Sequence, residues 1–132
     1  ICLLMNTDYR PVNINLLKIR LPISAFTSIT HRLSGMYIFF ITFPLSVYLF
    51  KISINSNSDF INLIESLENN LYLSTFVAFS YLVLWYHILT GVRHLIMDMH
   101  IGESLKASRL SSLLVLLIWF ISVIAFTTVV YL

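Results

Sequence analysis

Three long stretches without a charged side chain restrict what this chain can fold into. They run from Leu33 to Phe50, from Asn69 to Val92 and from Leu110 to Leu132. A helix that crosses the hydrocarbon core of a bilayer needs about 20 mostly apolar residues, whereas membrane-spanning strands would need a closed barrel with many more segments. The stretches therefore predict an all-α integral membrane protein with three transmembrane helices.

Composition supports a membrane location for the whole chain. Of its 132 residues, 58% are hydrophobic and only 11% are charged, whereas soluble domains carry about 25% charged residues. We predict a single membrane-anchor domain over 1–132, with an N-terminal segment at 1–23 and transmembrane helices at about 24–51, 69–97 and 109–132. Pro44 lies inside the first span, where a proline removes a backbone hydrogen bond and usually kinks the helix.

The polar connections and the basic residues predict the topology. Lys51 to Glu68 and His94 to Arg109 are short polar connections, so consecutive helices should be antiparallel neighbours. Basic residues near span ends favour the matrix or cytoplasmic side. They lie in the N-terminal part and around the second connection: Arg10, Lys18, Arg20, Arg32, Arg93, Lys106 and Arg109. Because the first connection carries only Lys51, we predict that the N-terminus faces the matrix or cytoplasm and the C-terminus faces the opposite side.

Charge and cysteine content exclude two classes of function. The net charge is +2 and there is no run of basic residues of the kind that binds phosphates, so nucleic acid is not expected as a partner. The single cysteine, Cys2, excludes an internal disulfide and a cysteine-based metal site.

Polar residues at the start of the first span form one candidate site. Ser24, Ser28 and Arg32 are spaced by four and share a helix face, and His31 adjoins that face. A hydroxyl and a guanidinium can donate hydrogen bonds to the carbonyl oxygens of a quinone, and arginine also stabilises negative charge on a reduced quinone. The alternative is that Arg32 is an interfacial anchor whose side chain extends toward the headgroups.

A histidine inside the second span forms the other candidate site. His87 needs a partner in an apolar setting, and imidazole is a common axial haem ligand. Gly91, one turn on, permits the close approach of a macrocycle or a helix. His87 and His94 lie about 10 Å apart along one axis, so they cannot hold one iron from opposite faces. A second ligand would be His31 or a histidine of a partner. The alternatives are a His87 bonded to a neighbouring helix and a His94 paired with Asp98.

Both clusters resemble the signatures of the succinate dehydrogenase cytochrome b556 subunit family. Arg10-Pro11 resembles the family's Arg-Pro start. Residues 28–35 read Ser-Ile-Thr-His-Arg-Leu-Ser-Gly, similar to Ser-x-x-His-Arg-x-[Ser/Thr]-Gly, and residues 87–98 read His-Ile-Leu-Thr-Gly-Val-Arg-His-Leu-Ile-Met-Asp, similar to His-x-x-x-Gly-x-Arg-His-x-x-x-Asp. The chain departs at Thr90, where many members have Asn, and at 13–15, where many have Ser-Pro-His. The resemblance covers nearly the whole chain.

The resemblance implies a role for each matching residue. His87 matches the family's axial ligand to haem b, and the second ligand would come from a second small membrane anchor subunit. Ser28 and Arg32 match the ubiquinone-binding residues. His31 matches a residue near the haem propionates, which argues against it as an iron ligand, and Arg32 and His94 are expected in the same vicinity.

The resemblance also implies partners and a location. An iron–sulfur subunit would deliver electrons for the reduction of ubiquinone, and a flavoprotein, attached through the iron–sulfur subunit, would carry the succinate site that this chain lacks. The expected location is the mitochondrial inner membrane, as a subunit of this tricarboxylic acid cycle enzyme, or alternatively a bacterial inner membrane. Two other hypotheses stay open: a haem-free structural anchor of the same complex, and the cytochrome b subunit of another quinone-linked respiratory complex.

Overall fold

The computed structural model describes residues 21–131, with side chains up to Val129, and every regular element in that part of the chain is helical. The elements are α1 (Ile23–Tyr37), a π-helical segment (Ile38–Thr42), α2 (Phe43–Asn55), α3 (Asn57–Asn69), α4 (Leu71–Asp98) and α5 (Leu105–Tyr131). Three continuous helical stretches are long and apolar enough to cross a membrane: Ile23–Asn55, Leu71–Asp98 and Leu105–Val129. The predicted all-α class with three transmembrane helices is confirmed. The predicted N-terminal segment, with Arg10, Lys18 and Arg20, lies outside the described residues apart from its last three positions, so the orientation stays a prediction.

The first span contains a widened turn next to its proline. The backbone N–H of Phe43 donates to the carbonyl oxygen of Ile38, five residues back, instead of four. Pro44 has no N–H to donate, and its ring would collide with the carbonyl of Phe40 in a regular α-helix. A π-helical turn opens the helix at this position and lets it continue through the proline.

The first connection is a helix, which differs from the loop that its polar composition suggested. Ser56 caps the N-terminus of α3 by accepting a hydrogen bond from the backbone N–H of Asp59 at 3.1 Å. Hydrogen bonds from the side chains of Ser56 and Asn55 hold the pKa of the Asp59 carboxyl below its usual range. Asn70 then caps α4 by accepting from the N–H groups of Tyr72 and Leu73. Ser56 therefore joins α3 to the first span, and Asn70 joins it to the second.

Small polar side chains form the centre of the helix packing. Among the described residues every buried side chain is polar or charged, and none is hydrophobic; they are Thr27, Ser34, Ser80, Thr90, Arg93, Ser108 and Ser112. Thr27 of α1 lies 3.3 Å from Ser112 of α5, oxygen to oxygen, and Trp119 donates to the carbonyl of Leu82. Close backbone approach through small residues is the usual way that helices associate in lipid, because apolar side chains gain little by leaving it.

Candidate functional site

The two clusters predicted from the sequence meet where α1 crosses α4. The ring of His31 stacks on that of His87, with centroids 4.1 Å apart and planes 13° from parallel. The ring of His94 also contacts that of His31, with centroids 5.1 Å apart and planes 40° from parallel. The structure thus brings together the three histidines named from the sequence.

Hydrogen bonds determine which nitrogen of His87 carries a proton. Ser34 donates its single hydroxyl hydrogen to the carbonyl oxygen of His31, at 2.7 Å. His87 Nδ1 lies 2.9 Å from Ser34 Oγ and 3.2 Å from that same carbonyl oxygen. Because the carbonyl can only accept and the hydroxyl hydrogen is already used, Nδ1 must be the donor. The Nε2 atom makes neither of these contacts, so in the tautomer that carries its proton on Nδ1 the Nε2 lone pair is free, as an iron ligand requires.

Two glycines make room for the stacked rings. A Cβ added at Gly35 would lie 3.1 Å from Cε1 of His87, and one added at Gly91 would lie 3.4 Å from Nε2 of His31. The sequence predicted that Gly91 permits the close approach of a macrocycle or another helix. In the structure the space beside Gly91 is taken by His31 of the neighbouring helix, and it is Gly35 that adjoins His87.

The stacking of the two rings does not allow His31 and His87 to hold one iron between them. Axial ligands point a nitrogen at the iron from opposite faces of the porphyrin, whereas His31 and His87 lie face to face. Within residues 21–131 no three His, Cys, Asp or Glu side chains are arranged to hold a bare metal ion. His31 Nε2 is buried without a hydrogen-bond partner among the described residues, a defect of about 1–3 kcal/mol that a polar group of a ligand would offset.

Ser28 and Arg32 occupy one side of α1, one turn apart. Ser28 is half-buried and Arg32 is exposed, and no hydrogen bond joins either side chain to another residue in the described part of the chain. Both therefore keep free donors near the N-terminal end of the first span. These free donors are compatible with a bound quinone. They are equally compatible with the alternative that Arg32 is an interfacial anchor.

Arg93 has a different environment from the one its position in the sequence suggested. It was counted with the second connection, but α4 continues to Asp98 and Arg93 is only 4% exposed. Its Nε donates to Ser111 Oγ at 3.1 Å, and its Nη2 donates to the carbonyl oxygen and Oγ of Ser108 at 3.2 and 3.1 Å. Its Nη1 is buried and has no partner among the residues described. Arg93 therefore links α4 to the first turns of α5.

Sequence reasoning did not single out several residues that support the site. Ser34 was noted only as part of a motif, yet it orients His87. Tyr86 was not singled out either, and its hydroxyl lies 2.5 Å from Oγ1 of Thr30. Thr90 is fully buried and donates to the carbonyl oxygens of Tyr86 and His87, at 2.8 and 3.1 Å. Their only signal in the sequence was polarity within an apolar span. The alternative pairing of His94 with Asp98 does not form an ion pair, and the ring of His94 contacts that of His31; the ion pair found in the described region joins His100 to Glu103.

Comparison with known proteins agrees with the motifs. Residues 6–126 match the family of succinate dehydrogenase/fumarate reductase transmembrane subunits. The chain is 34% identical over 115 residues to a succinate dehydrogenase cytochrome b556 subunit of Coxiella burnetii, covering 87% of this chain and 91% of that protein. It is 33% identical over 119 residues to the protein of the same name from Rickettsia prowazekii, covering 83% of this chain and 90% of the relative. This chain therefore belongs to the family of succinate dehydrogenase/fumarate reductase transmembrane subunits.

Proposed function

We propose that this membrane cytochrome b subunit binds one b-type haem together with a second anchor subunit and helps to bind ubiquinone. Electrons would pass from an iron–sulfur subunit to the quinone beside α1. The flavoprotein, held through the iron–sulfur subunit, would oxidise succinate, so this chain supplies no succinate site. The observation that carries the proposal is the hydrogen bonding of the His87 imidazole, whose Nδ1 contacts Ser34 Oγ and the His31 carbonyl oxygen and whose Nε2 takes no part in these contacts.

The neighbours of His87 support its assignment as the axial ligand. Ser34 and the carbonyl of His31 restrict rotation of the His87 ring and favour the proton on Nδ1, as the outer partners of metal-bound histidines do. Haem, when bound, supplies a one-electron redox centre within the membrane. A second histidine ligand would come from the partner anchor, because the ring of His31 stacks face to face on that of His87. His31, Arg32 and His94 would lie near the propionates. The Arg32 guanidinium would offset their negative charge, and the two imidazoles would donate hydrogen bonds to them.

Ser28 and Arg32 support quinone binding through their free donors. The Ser28 hydroxyl can donate to one quinone carbonyl oxygen, and the Arg32 guanidinium adds a charge-assisted bond that strengthens as the oxygen gains negative charge. Their place near the end of the first span puts a bound quinone within reach of a soluble iron–sulfur partner on the same membrane face. That face is the matrix or cytoplasmic side in the predicted orientation, in a mitochondrial or bacterial inner membrane.

Purification of the intact complex tests this proposal. We expect the chain to co-purify with a flavoprotein, an iron–sulfur protein and a second small membrane protein, as identified by mass spectrometry. The reduced-minus-oxidised visible spectrum should show one low-spin b-type haem per copy of this chain. An intact complex without haem absorbance would favour the haem-free anchor, and a different set of partners would favour another quinone-linked cytochrome b.

A further inference from the structure

Helix α3, between the first and second spans, has a strongly two-sided surface. Its apolar side chains are Phe60, Ile61, Leu63, Ile64 and Leu67. At 100° per residue these lie within one arc of about 160°, which also includes Asn57 and Glu68 at the two ends of the helix; the opposite arc carries Ser58, Asn62, Ser66 and Asn69, with Glu65 at its edge beside Ile61. A helix with such a pattern requires apolar surroundings on one side and water on the other.

The rest of the described chain covers only part of the apolar arc. Leu63 and Leu67 are half-buried, where α3 packs against α2 and α4. Phe60, Ile61 and Ile64 remain 45%, 56% and 40% exposed. These three side chains form one patch, because residues three and four apart are neighbours on a helix surface.

The position of α3 identifies what this patch contacts. Ser56 alone separates α3 from the end of the first span, and Asn70 alone separates it from the start of the second. Both ends of the helix are thus tethered where two neighbouring spans leave the membrane. Its charged and amide face cannot enter hydrocarbon, whereas its apolar patch gains free energy by leaving water.

We propose that α3 is an interfacial helix that inserts Phe60, Ile61 and Ile64 into the lipid at the membrane boundary. Amphipathic helices of this kind lie in the interface with their apolar face among the acyl chains. The charges identify the class of lipid contact. The helix carries Asp59, Glu65 and Glu68 and has no basic residue. Its contact is therefore with acyl chains, and anionic headgroups are not what holds it.

Nitroxide scanning of the full chain, with its co-purifying subunits in phosphatidylcholine vesicles, tests this proposal. In a Cys2→Ser background, single cysteines at Phe60, Ile61 and Ile64 are spin-labelled and compared with Asn62→Cys and Ser66→Cys on the opposite face. Oxygen concentrates in lipid and a neutral nickel chelate stays in water. We expect collisions with oxygen to exceed those with nickel at the three apolar positions and the ratio to invert at the two polar ones.

Two results would overturn the proposal. Collisions dominated by nickel at Ile61 and Ile64 would mean that the patch faces water. Low collision rates with both reagents at these positions would mean that another protein segment covers the patch. The label at Asn62 is a matched control, since it sits on the same helix with the same caps and differs only in the face that it occupies.

Discussion

The Nδ1 atom of His87 lies 2.9 Å from Ser34 Oγ, and that hydroxyl donates to the carbonyl oxygen of His31 at 2.7 Å. A histidine on α4 is therefore oriented by a hydroxyl and a backbone carbonyl on α1. The contact joins the two sequence motifs and leaves Nε2 of His87 free to bind iron.

Replacement of Ser34 should weaken haem binding without abolishing it. In Ser34→Ala the Nδ1 of His87 keeps its contact with the carbonyl of His31 but loses the shorter bond. Loss of an outer partner of a metal-bound histidine costs about 10- to 100-fold in affinity, and we expect the lower end because one acceptor remains. The measurement is the haem-to-protein ratio during titration with a haem scavenger.

Ser46→Ala is the control for Ser34→Ala. The Ser46 hydroxyl is exposed and bonds only the carbonyl of Phe43 in its own helix, at 2.8 Å. Its loss should leave the haem content unchanged. Equal haem retention in the Ser34 and Ser46 variants would show that Ser34 does not orient the ligand.

The two glycines should differ in their tolerance of a methyl group. Gly35→Ala places Cβ 3.1 Å from His87 Cε1, whereas Gly91→Ala places it 3.4 Å from His31 Nε2. The first contact forces His87 to shift, and the second is close to ordinary packing. Gly35→Ala should therefore lose more low-spin haem absorbance per assembled complex than Gly91→Ala. A larger loss in the Gly91 variant would mean that the space beside Gly91 matters more for the haem.

Arg93 should stabilise the helix packing more than an exposed arginine on the same membrane side. Arg93→Ala removes three hydrogen bonds to Ser108 and Ser111, and one bond to a charged group contributes about 1.5–3 kcal/mol. We expect a loss of at least that size in the free energy of unfolding, measured by denaturant titration of the purified complex. Arg109→Ala, at an exposed position on α5, should change the stability by less than about 0.5 kcal/mol. Similar losses in the two variants would contradict the assigned role.

Replacement of Arg32 should impair quinone reduction specifically. Arg32→Ala removes the proposed charge-assisted bond to quinone, worth about 1.5–3 kcal/mol, which corresponds to a loss of roughly 10- to 100-fold in kcat/KM for quinone. Succinate oxidation with an artificial dye should persist, because it bypasses this site. Arg109→Ala, another arginine near a span end, controls for a general anchoring effect. Unchanged quinone kinetics in an assembled Arg32 variant would leave Arg32 as an interfacial anchor.

The spans could be predicted from the sequence because membrane insertion depends on summed apolarity, which composition reports directly. Helix α3 could not be recognised from composition, because its acidic and amide residues make the segment polar on average. Its apolar residues are recognised as one helix face only when they are placed at 100° per residue. Phe60, Ile64 and Leu67 recur at the helical spacing of three to four residues, which a hydropathy average over the segment does not detect.

The site could be predicted only in part, because motifs identify residues and not their contacts. His31, His87 and His94 were singled out, but the stacking of His31 on His87 depends on how α1 crosses α4, which no local pattern determines. Ser34 was overlooked because a helical serine most often bonds the carbonyl one turn back, and its additional bond to His87 comes from another helix. Arg93 lies within the predicted second span but was grouped with the basic residues around the second connection, because no local pattern indicates that Ser108 and Ser111 of α5 bind its guanidinium.

The absorption and electron paramagnetic resonance spectra of a His87→Leu variant test the central claim most directly. The complex should assemble with the low-spin bis-imidazole haem signal lost, because leucine offers no nitrogen to the iron. His31→Leu and His94→Leu, which change rings beside the proposed ligand, should retain that signal with at most a shift in its position. Survival of the signal in the His87 variant, together with its loss on replacing His31 or His94, would contradict the account.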